Sequence, residues 1–214
     1  MAAWIRIVRL KLFSAVGSCS LASHIALEEA GADYELVAMS TRDGDQLRPE
    51  YLAVNPKGRV PALVTERGVL TETPAILAFI AQSYPAAGLA PCDDPYAFAK
   101  AQAFNSYLCA TVHVAHAHRH RGYRWADDPA ALAEMTRKVP QTVAACFQLI
   151  EDELLAGPYV LGGAYSICDP YLFTLAGWLE GDGVDPARLP RVLAHRERVA
   201  ARPAVRKVLA ELAS

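Results

Sequence analysis

The stretch GSCSLASHIALEEAG, residues 17–31, follows an apolar run at residues 5–13 and has helical periodicity from Leu21 to Ala30. It predicts a strand, a tight turn and a helix, with the Cys19 thiol at the turn. The first N–H groups of a helix lack intrahelical acceptors and carry partial positive charge, so a thiolate is favoured there. We expect Ser20 to be the N-cap, with a hydroxyl that can donate to the sulfur of Cys19 or of a bound thiol. The alternative is that Cys19 is a small apolar residue packed at a turn.

The composition is that of a globular chain with a substantial core, because 53% of its 214 residues are hydrophobic and 21% are charged. The formal net charge of -2 gives no support to a nucleic-acid partner. No stretch approaches the roughly 20 apolar residues of a membrane span. Residues 1–9 lack the apolar core and the cleavage site of a secretory signal. We therefore expect a soluble cytoplasmic protein without a membrane partner.

The cysteines are odd in number and widely spaced, at Cys19, Cys92, Cys109, Cys146 and Cys168. They form no C-x-x-C pair and have no zinc-finger spacing, so neither a disulfide scaffold nor a dithiol redox motif is predicted. If Cys19 takes part in redox chemistry, we expect its partner sulfur to come from a small-molecule thiol.

Strands and turns alternate beyond the first helix. Tyr34 to Met39 predicts a second strand, and the turn Asn55-Pro56-Lys57-Gly58 leads into a strand at residues 60–64 and a shorter one at residues 69–70. Because Pro61 has no N–H to donate, the edge of its strand must face something other than a neighbouring strand. The backbone of a ligand is one candidate.

A second helix N-terminus is predicted at Thr71-Glu72-Thr73-Pro74, with Thr73 as the N-cap and Pro74 in the first helical position. Such a terminus favours a bound anion. The helix is expected to run from Ala75 to Tyr84. The proline-rich residues 85–95 that follow predict a domain boundary.

Helical periodicity alone continues after this boundary, in stretches at residues 96–120, 129–155, 169–180, 189–201 and 204–213. The predicted organisation is therefore an α/β domain at residues 1–84, a linker at 85–95 and an all-α domain at 96–214. The segment Ser166-Ile167-Cys168-Asp169 has the spacing of a capping box. In such a box the Ser166 hydroxyl accepts from the N–H of Asp169, and the Asp169 carboxylate accepts from the N–H of Ser166. This pattern assigns Asp169 a structural role.

Histidines cluster on the long helix after the linker, at His113, His116, His118 and His120. With about 100° per residue, the first, second and fourth of them share one face of the helix. Their spacing could chelate a metal ion. The stretch contains no acidic residue, however, and Arg119 and Arg121 add positive charge, so we expect a cleft-lining or surface cluster and no metal.

Four separated motifs, in the same order, resemble the bacterial beta class of glutathione transferases. They are residues 17–31, Asn55-Pro56-Lys57-Gly58-Arg59-Val60-Pro61, Leu70-Thr71-Glu72-Thr73 and Ser166-Ile167-Cys168-Asp169-Pro170-Tyr171-Leu172-Phe173. The resemblance covers nearly the whole chain from about Lys11 onward. It implies an α/β plus all-α fold, in which an N-terminal thioredoxin-like domain is followed by a C-terminal helical glutathione-transferase domain.

The resemblance also implies how the co-substrate glutathione is held. Pro61 would be cis, which leaves the backbone N–H and C=O of Val60 free to pair with the cysteinyl unit of glutathione. The carboxylate of Glu72 and the hydroxyl and N–H of Thr73 would hold the γ-glutamyl end.

Further residues match the catalytic positions of the family. Cys19 matches the cysteine that can form a mixed disulfide with glutathione, and Ser20 matches the adjacent serine. His113 matches the histidine near the glutathione sulfur. Trp178 matches an aromatic residue near the pocket for the hydrophobic co-substrate, where we also place His116; the alternative for Trp178 is a core residue.

Two positions depart from the family pattern. Phe13 stands where many relatives carry tyrosine, so no tyrosine hydroxyl at that position activates the thiol. Val114 follows His113 where relatives often have lysine, which removes one cation from the expected site.

The predicted function is conjugation of reduced glutathione to hydrophobic electrophiles, with thiol–disulfide exchange through Cys19 as a second activity. One alternative is a glutathione-dependent isomerase, dehalogenase or ether-cleaving enzyme, although zeta-type isomerases carry Ser-Ser-Cys-Ser where this chain has Gly17-Ser18-Cys19-Ser20. Another is a non-catalytic binding protein on the same fold. The resemblance implies a homodimer, and the electrophile is left open.

Overall fold

The computed structural model of the chain describes residues 10–213, so the expectations for residues 1–9 lie outside the described residues. The elements in chain order are β1 Leu10–Ala15, α1 Ser20–Glu29, β2 Tyr34–Met39, α2 Pro49–Leu52, β3 Ala62–Thr65, β4 Gly68–Thr71, α3 Thr73–Ser83, α4 Pro95–Tyr107, α5 His113–Arg121, α6 Pro129–Leu149, α7 Cys168–Ala176, α8 Pro190–Ala200 and α9 Pro203–Ala213. Among these residues no helix combines the length and apolar character needed to cross a membrane.

The four strands form one mixed sheet in the order β2-β1-β3-β4. β2 is parallel to β1, with α1 as the crossover, and β3 and β4 are antiparallel additions. Leu12 and Leu63 are opposite each other in the two central strands and are fully buried, in one core with Ala26 of α1 and Leu77 of α3. This arrangement confirms the predicted thioredoxin-like domain.

A helical unit follows the sheet and confirms the predicted C-terminal domain. Its central helix is α7, which is buried along its whole length and packs against both α1 and α8. Two ion pairs to α1 are made near the C-terminal end of the chain, from Arg202, which directly precedes α9, to Glu29 at 2.8 Å and from Lys207 of α9 to Glu28 at 2.6 Å. These contacts attach the C-terminal helix to the end of α1 opposite Cys19.

Some observed boundaries differ from the predicted ones. β3 begins at Ala62 rather than at residue 60, because Pro61 has no N–H to contribute to the ladder. The predicted helix at residues 96–120 is divided by a π-helical turn at Leu108–Val112. The sequence pattern misses this turn because a single wider turn shifts the periodicity by only one residue.

Asp169 accepts several hydrogen bonds at the start of α7. Its carboxylate accepts from the N–H of Ser166 at 2.7 Å, from the N–H of Val160 at 2.8 Å and from Nε2 of His195 at 2.9 Å, with no exposure to solvent. The Ser166 hydroxyl accepts from the N–H of Cys168, one residue earlier than the capping box predicts. Asp169 is therefore a buried acceptor that several backbone and side-chain donors share, and its role is structural.

Candidate active site

Cys19 lies where β1 turns into α1. It is 8% exposed, and its thiol donates to the C=O of Val60 at 3.6 Å. Burial raises the pKa of the Cys19 thiol, and a hydrogen bond from the Thr73 side chain and the charge of Arg121 only partly oppose that rise. The backbone N–H of Cys19 also lowers the pKa, as expected at a helix N-terminus, but loss of solvation outweighs the favourable interactions, so the thiolate is not favoured overall.

Ser20 is the first residue of α1, and the N-cap position belongs to Cys19, without a side-chain cap. The Ser20 hydroxyl points back to β1, at 2.8 Å from the Ser14 hydroxyl and 2.6 Å from the Ser18 hydroxyl, and accepts from the N–H of Ala15 at 3.1 Å. The predicted N-cap at Ser20 is therefore wrong. Its buried hydroxyl satisfies the end of β1 and lines neither of the cavities beside Cys19.

The backbone before β3 is held in a fixed path next to Cys19. The peptide bond between Val60 and Pro61 is cis, as the resemblance implies. The C=O of Arg59 accepts from the Tyr51 hydroxyl at 2.6 Å and from the Asn55 amide at 2.7 Å. Tyr51 and Asn55 thus position the Val60 backbone, and the sequence pattern alone does not identify Tyr51 for this role.

Glu72 is the one non-glycine residue with positive φ among those the structure describes, at φ 70° and ψ 120°. This conformation costs on the order of 1–3 kcal/mol and is commonly found at functional sites. Because this backbone conformation is not helical, Glu72 is the N-cap and α3 begins at Thr73. The prediction of an N-cap at Thr73 is therefore wrong by one residue. Lys57 binds the Glu72 carboxylate at 2.6 Å.

Two cavities meet at Cys19. The smaller, of about 140 Å³, contains most of the predicted glutathione-binding groups, with Cys19, Val60, Pro61, Glu72, Thr73 and His113 in its wall. The larger, of about 610 Å³, shares Cys19, Val60 and His113 and extends along α5 to His116 and Trp178. The structure therefore brings together every predicted site residue except Ser20.

Arginines that the sequence analysis did not assign to the site line both cavities, at Arg59, Arg121 and Arg124. The Nε of Arg121 is buried and has no hydrogen-bond partner among the described residues. A buried donor without an acceptor is rare in proteins, and an anionic ligand would satisfy it. Arg121 and Arg124 lie on the helical side of the cleft, where spacing along the chain does not reveal them, and Arg59 comes from the loop before β3.

A second thiol lines the smaller cavity. Cys109 lies on the π-helical turn, and burial raises its pKa while a hydrogen bond from the Tyr171 side chain lowers it. Both Cys109 and Tyr171 are in the wall of the cavity that contains Cys19. The five scattered cysteines of the sequence do not indicate that two of them share one site.

His113 is held in one tautomer. Its Nε2 accepts from Nη2 of Arg121 at 3.1 Å, so the neutral ring carries its hydrogen on Nδ1. Burial, together with the charges of Arg121 and His116, lowers the pKa of His113 to about 3. At neutral pH this imidazole can donate a hydrogen bond and does not act as a base.

The ring of His113 is therefore expected to remain neutral between pH 5 and pH 8, and its NMR signal should not shift over that range. The signal is assigned by its loss in His113→Gln. Because the unfolded chain regains the ordinary pKa of 6.5, His113 makes the folded state less stable as the pH falls below that value. A titration midpoint near 6.5 in the folded protein would contradict the lowered pKa of His113.

Trp178 is half-buried and lies between two histidines of α5. Its ring is edge-on to His113, with centroids 5.2 Å apart, and stacks on His116, with centroids 4.3 Å apart. His118 packs instead against Trp125. Within residues 10–212 no group of three or more His, Cys, Asp or Glu side chains is arranged to hold a metal ion.

Comparison with known proteins agrees with this geometry. The family model for the glutathione S-transferase N-terminal domain matches residues 8–82. Glutathione S-transferase GstA of Escherichia coli O157:H7 is 32% identical over 206 residues, covering 94% of this chain and 97% of the relative. A glutathione transferase homologue from Sulfitobacter, solved with bound glutathione, is 45% identical with a TM-score of 0.92, covering 95% of this chain and 98% of that one. A bacterial beta class glutathione S-transferase from Sphingomonas chungbukensis is 33% identical with a TM-score of 0.82, covering 94% of this chain and 98% of that one. The chain therefore belongs to the glutathione S-transferase family.

Proposed function

We propose that the protein conjugates reduced glutathione to a hydrophobic electrophile, with glutathione in the smaller cavity and the electrophile in the larger one. One observation carries the proposal: Val60, Glu72 and Cys19 line the same small cavity. We also place the enzyme near the beta class, as a cytoplasmic homodimer. Sedimentation tests the dimer.

Glutathione fits the charges of this cavity. Its γ-glutamyl end carries an ammonium group, for which Glu72 is the partner, and a carboxylate, which the N-terminus of α3 at Thr73 favours. The net negative charge of the tripeptide suits a wall that contains Arg59, Arg121 and Arg124. The glutathione sulfur then lies beside Cys19.

The neutral Cys19 thiol suits conjugation better than exchange. Because burial raises its pKa, Cys19 is mostly protonated at neutral pH and can donate a hydrogen bond to the glutathione thiolate. The Nδ1–H of His113 and the charge of Arg121 favour the same anion. Thiol–disulfide exchange through Cys19 requires its own thiolate and is the slower of the two activities in this mechanism.

Glu72→Gln is expected to raise the KM for glutathione by about 10–100-fold, because one charge-assisted hydrogen bond to the ammonium group is lost. The kcat is expected to change little, since this bond is equally strong in the ground and transition states. Steady-state kinetics with an aryl halide measures both constants. Glu66→Gln, which changes an exposed carboxylate on the turn between β3 and β4, is the matched control.

Retention of the wild-type protein on immobilised glutathione and turnover of an aryl halide would support the proposal. A protein that binds no glutathione on the resin and turns over no aryl halide, disulfide or maleyl compound would overturn it. Equal KM values for Glu72→Gln and Glu66→Gln would overturn the placement of the γ-glutamyl end.

A further inference from the structure

His116 and Asp182 form a pair at the wall of the larger cavity. Nδ1 of His116 lies 2.7 Å and 2.9 Å from the two carboxylate oxygens of Asp182, which is 3% exposed. The imidazole also stacks on Trp178 at an interplanar angle of 26°. The ring is thus held in one orientation by a buried anion on one edge and an aromatic face beside it.

The contacts of His116 leave Nε2 available. Because a carboxylate only accepts hydrogen bonds, Nδ1 carries the hydrogen in the neutral ring and Nε2 carries the lone pair. Among the described residues Nε2 has no hydrogen-bond partner, and His116 lines the cavity that also contains Cys19. His113 has the same tautomer, but its Nε2 is occupied by Arg121.

Two further groups face the pair. Nη1 of Arg119 lies 3.5 Å from the Asp182 carboxylate, and the ring of His113 lies beside that of His116, with centroids 6.2 Å apart. An imidazole held by a buried carboxylate, with its other nitrogen free, is the arrangement that catalytic bases use.

We propose that His116, positioned by Asp182, takes the proton from glutathione and returns it to the product, and that the electrophiles served by it are α,β-unsaturated carbonyl compounds. This inference rests on the proposed conjugation of glutathione. The proton of the glutathione thiol moves to Nε2 of His116, and the thiolate so formed adds to the β-carbon while the electron pair of the C=C bond moves toward the carbonyl. The resulting enolate then takes the proton from His116 at its α-carbon.

The step is balanced without another reactant, because an S–C and a C–H bond form while the S–H bond and the C=C π bond break. Aryl halides differ from this class, since they release halide and need no proton on carbon. A proton donor fixed in the wall of the electrophile cavity therefore favours enones over aryl halides. Positive charge from Arg121 and Arg124 in the same wall stabilises the enolate.

The test compares 4-phenyl-3-buten-2-one with 1-chloro-2,4-dinitrobenzene as substrates of the wild type, His116→Ala, Asp182→Asn and His118→Gln. We expect His116→Ala to lower the ratio of enone to aryl halide kcat by about 100-fold and added imidazole to restore part of it. Asp182→Asn should lower the ratio by a smaller factor, because Asp182 is a positioning residue. His118 lies on the same helix outside both cavities, so His118→Gln should keep the ratio.

Conjugation in deuterium oxide measures which face of the α-carbon receives the proton. A purely structural role of His116 would not change this result. We expect the wild type to place deuterium on one face of the α-carbon and His116→Ala to place it on both faces. An unchanged ratio with one-face labelling in His116→Ala, or a wild type that conjugates the aryl halide and not the enone, would overturn the inference. Failure to bind glutathione at all would instead overturn the proposed function itself.

Discussion

Cys19→Ala is expected to abolish the mixed disulfide that forms when the protein is incubated with glutathione disulfide. Cys19 is the cysteine that lines both cavities, so its sulfur is the one nearest the proposed site of the glutathione sulfur. The affinity for reduced glutathione should change only a few-fold, because the Val60 backbone and Glu72 carry most of the proposed binding. Intact-protein mass spectrometry measures the adduct, and calorimetry measures the affinity.

The rate of this adduct should rise with pH and reach no plateau below about pH 9, because burial places the Cys19 pKa above the ordinary value of 9.0. Only the thiolate attacks a disulfide, so each unit of pH below the pKa changes the rate about tenfold. Cys92→Ala removes an exposed thiol and is the control, and Cys109→Ala tests the second thiol of the cavity. An adduct that persists in Cys19→Ala would refute the assignment.

Asp169→Ala is expected to lower the free energy of unfolding by about 3–5 kcal/mol. Its carboxylate is completely buried and accepts from two backbone N–H groups and from His195, which has no exposure either. Removing it leaves these donors without an acceptor in the interior, and each one adds a desolvation cost. Urea denaturation followed by circular dichroism measures the change.

The matched control is Asp94→Ala, which removes an exposed N-cap that accepts from the N–H groups of Tyr96 and Ala97. Loss of an exposed cap costs about 1 kcal/mol. If Asp169→Ala were no more destabilising than Asp94→Ala, the buried carboxylate would not have the structural role described above. The activity of folded Asp169→Ala at low temperature should be retained, since Asp169 lines neither cavity.

Local patterns predicted the elements of this chain well where the deciding interactions are themselves local. The strand Tyr34–Met39 has the predicted limits, and α1 follows from its apolar periodicity and the closing glycine. The N-cap of α3 is Glu72 rather than Thr73, because the backbone of Glu72 is not helical, with φ 70°. Residue propensity does not predict a positive φ at a glutamate, since residues other than glycine rarely adopt it.

The candidate site was predictable to the extent that its residues occur in contiguous motifs. Cys19, Val60, Pro61, Glu72 and Thr73 lie in such motifs and meet at one cavity. Arg121 and Cys109 are brought to this cavity by folding, and their spacing along the chain does not predict it. The direction of the Ser20 hydroxyl was also beyond the sequence, because a buried serine bonds to whichever acceptor lies within reach.

The sequence by itself determined the strands, helices and turns of the α/β domain, because periodicity, turn residues and the missing N–H of Pro61 act within a few residues of the chain. The family followed from the resemblance of four contiguous motifs, each of which contributes to the wall of the smaller cavity. Only the tertiary structure decided the protonation chemistry. The raised pKa of Cys19, the neutral His113 and the free Nε2 of His116 depend on burial and on charges brought from distant segments, and solvation is a property of the folded surroundings rather than of the residue.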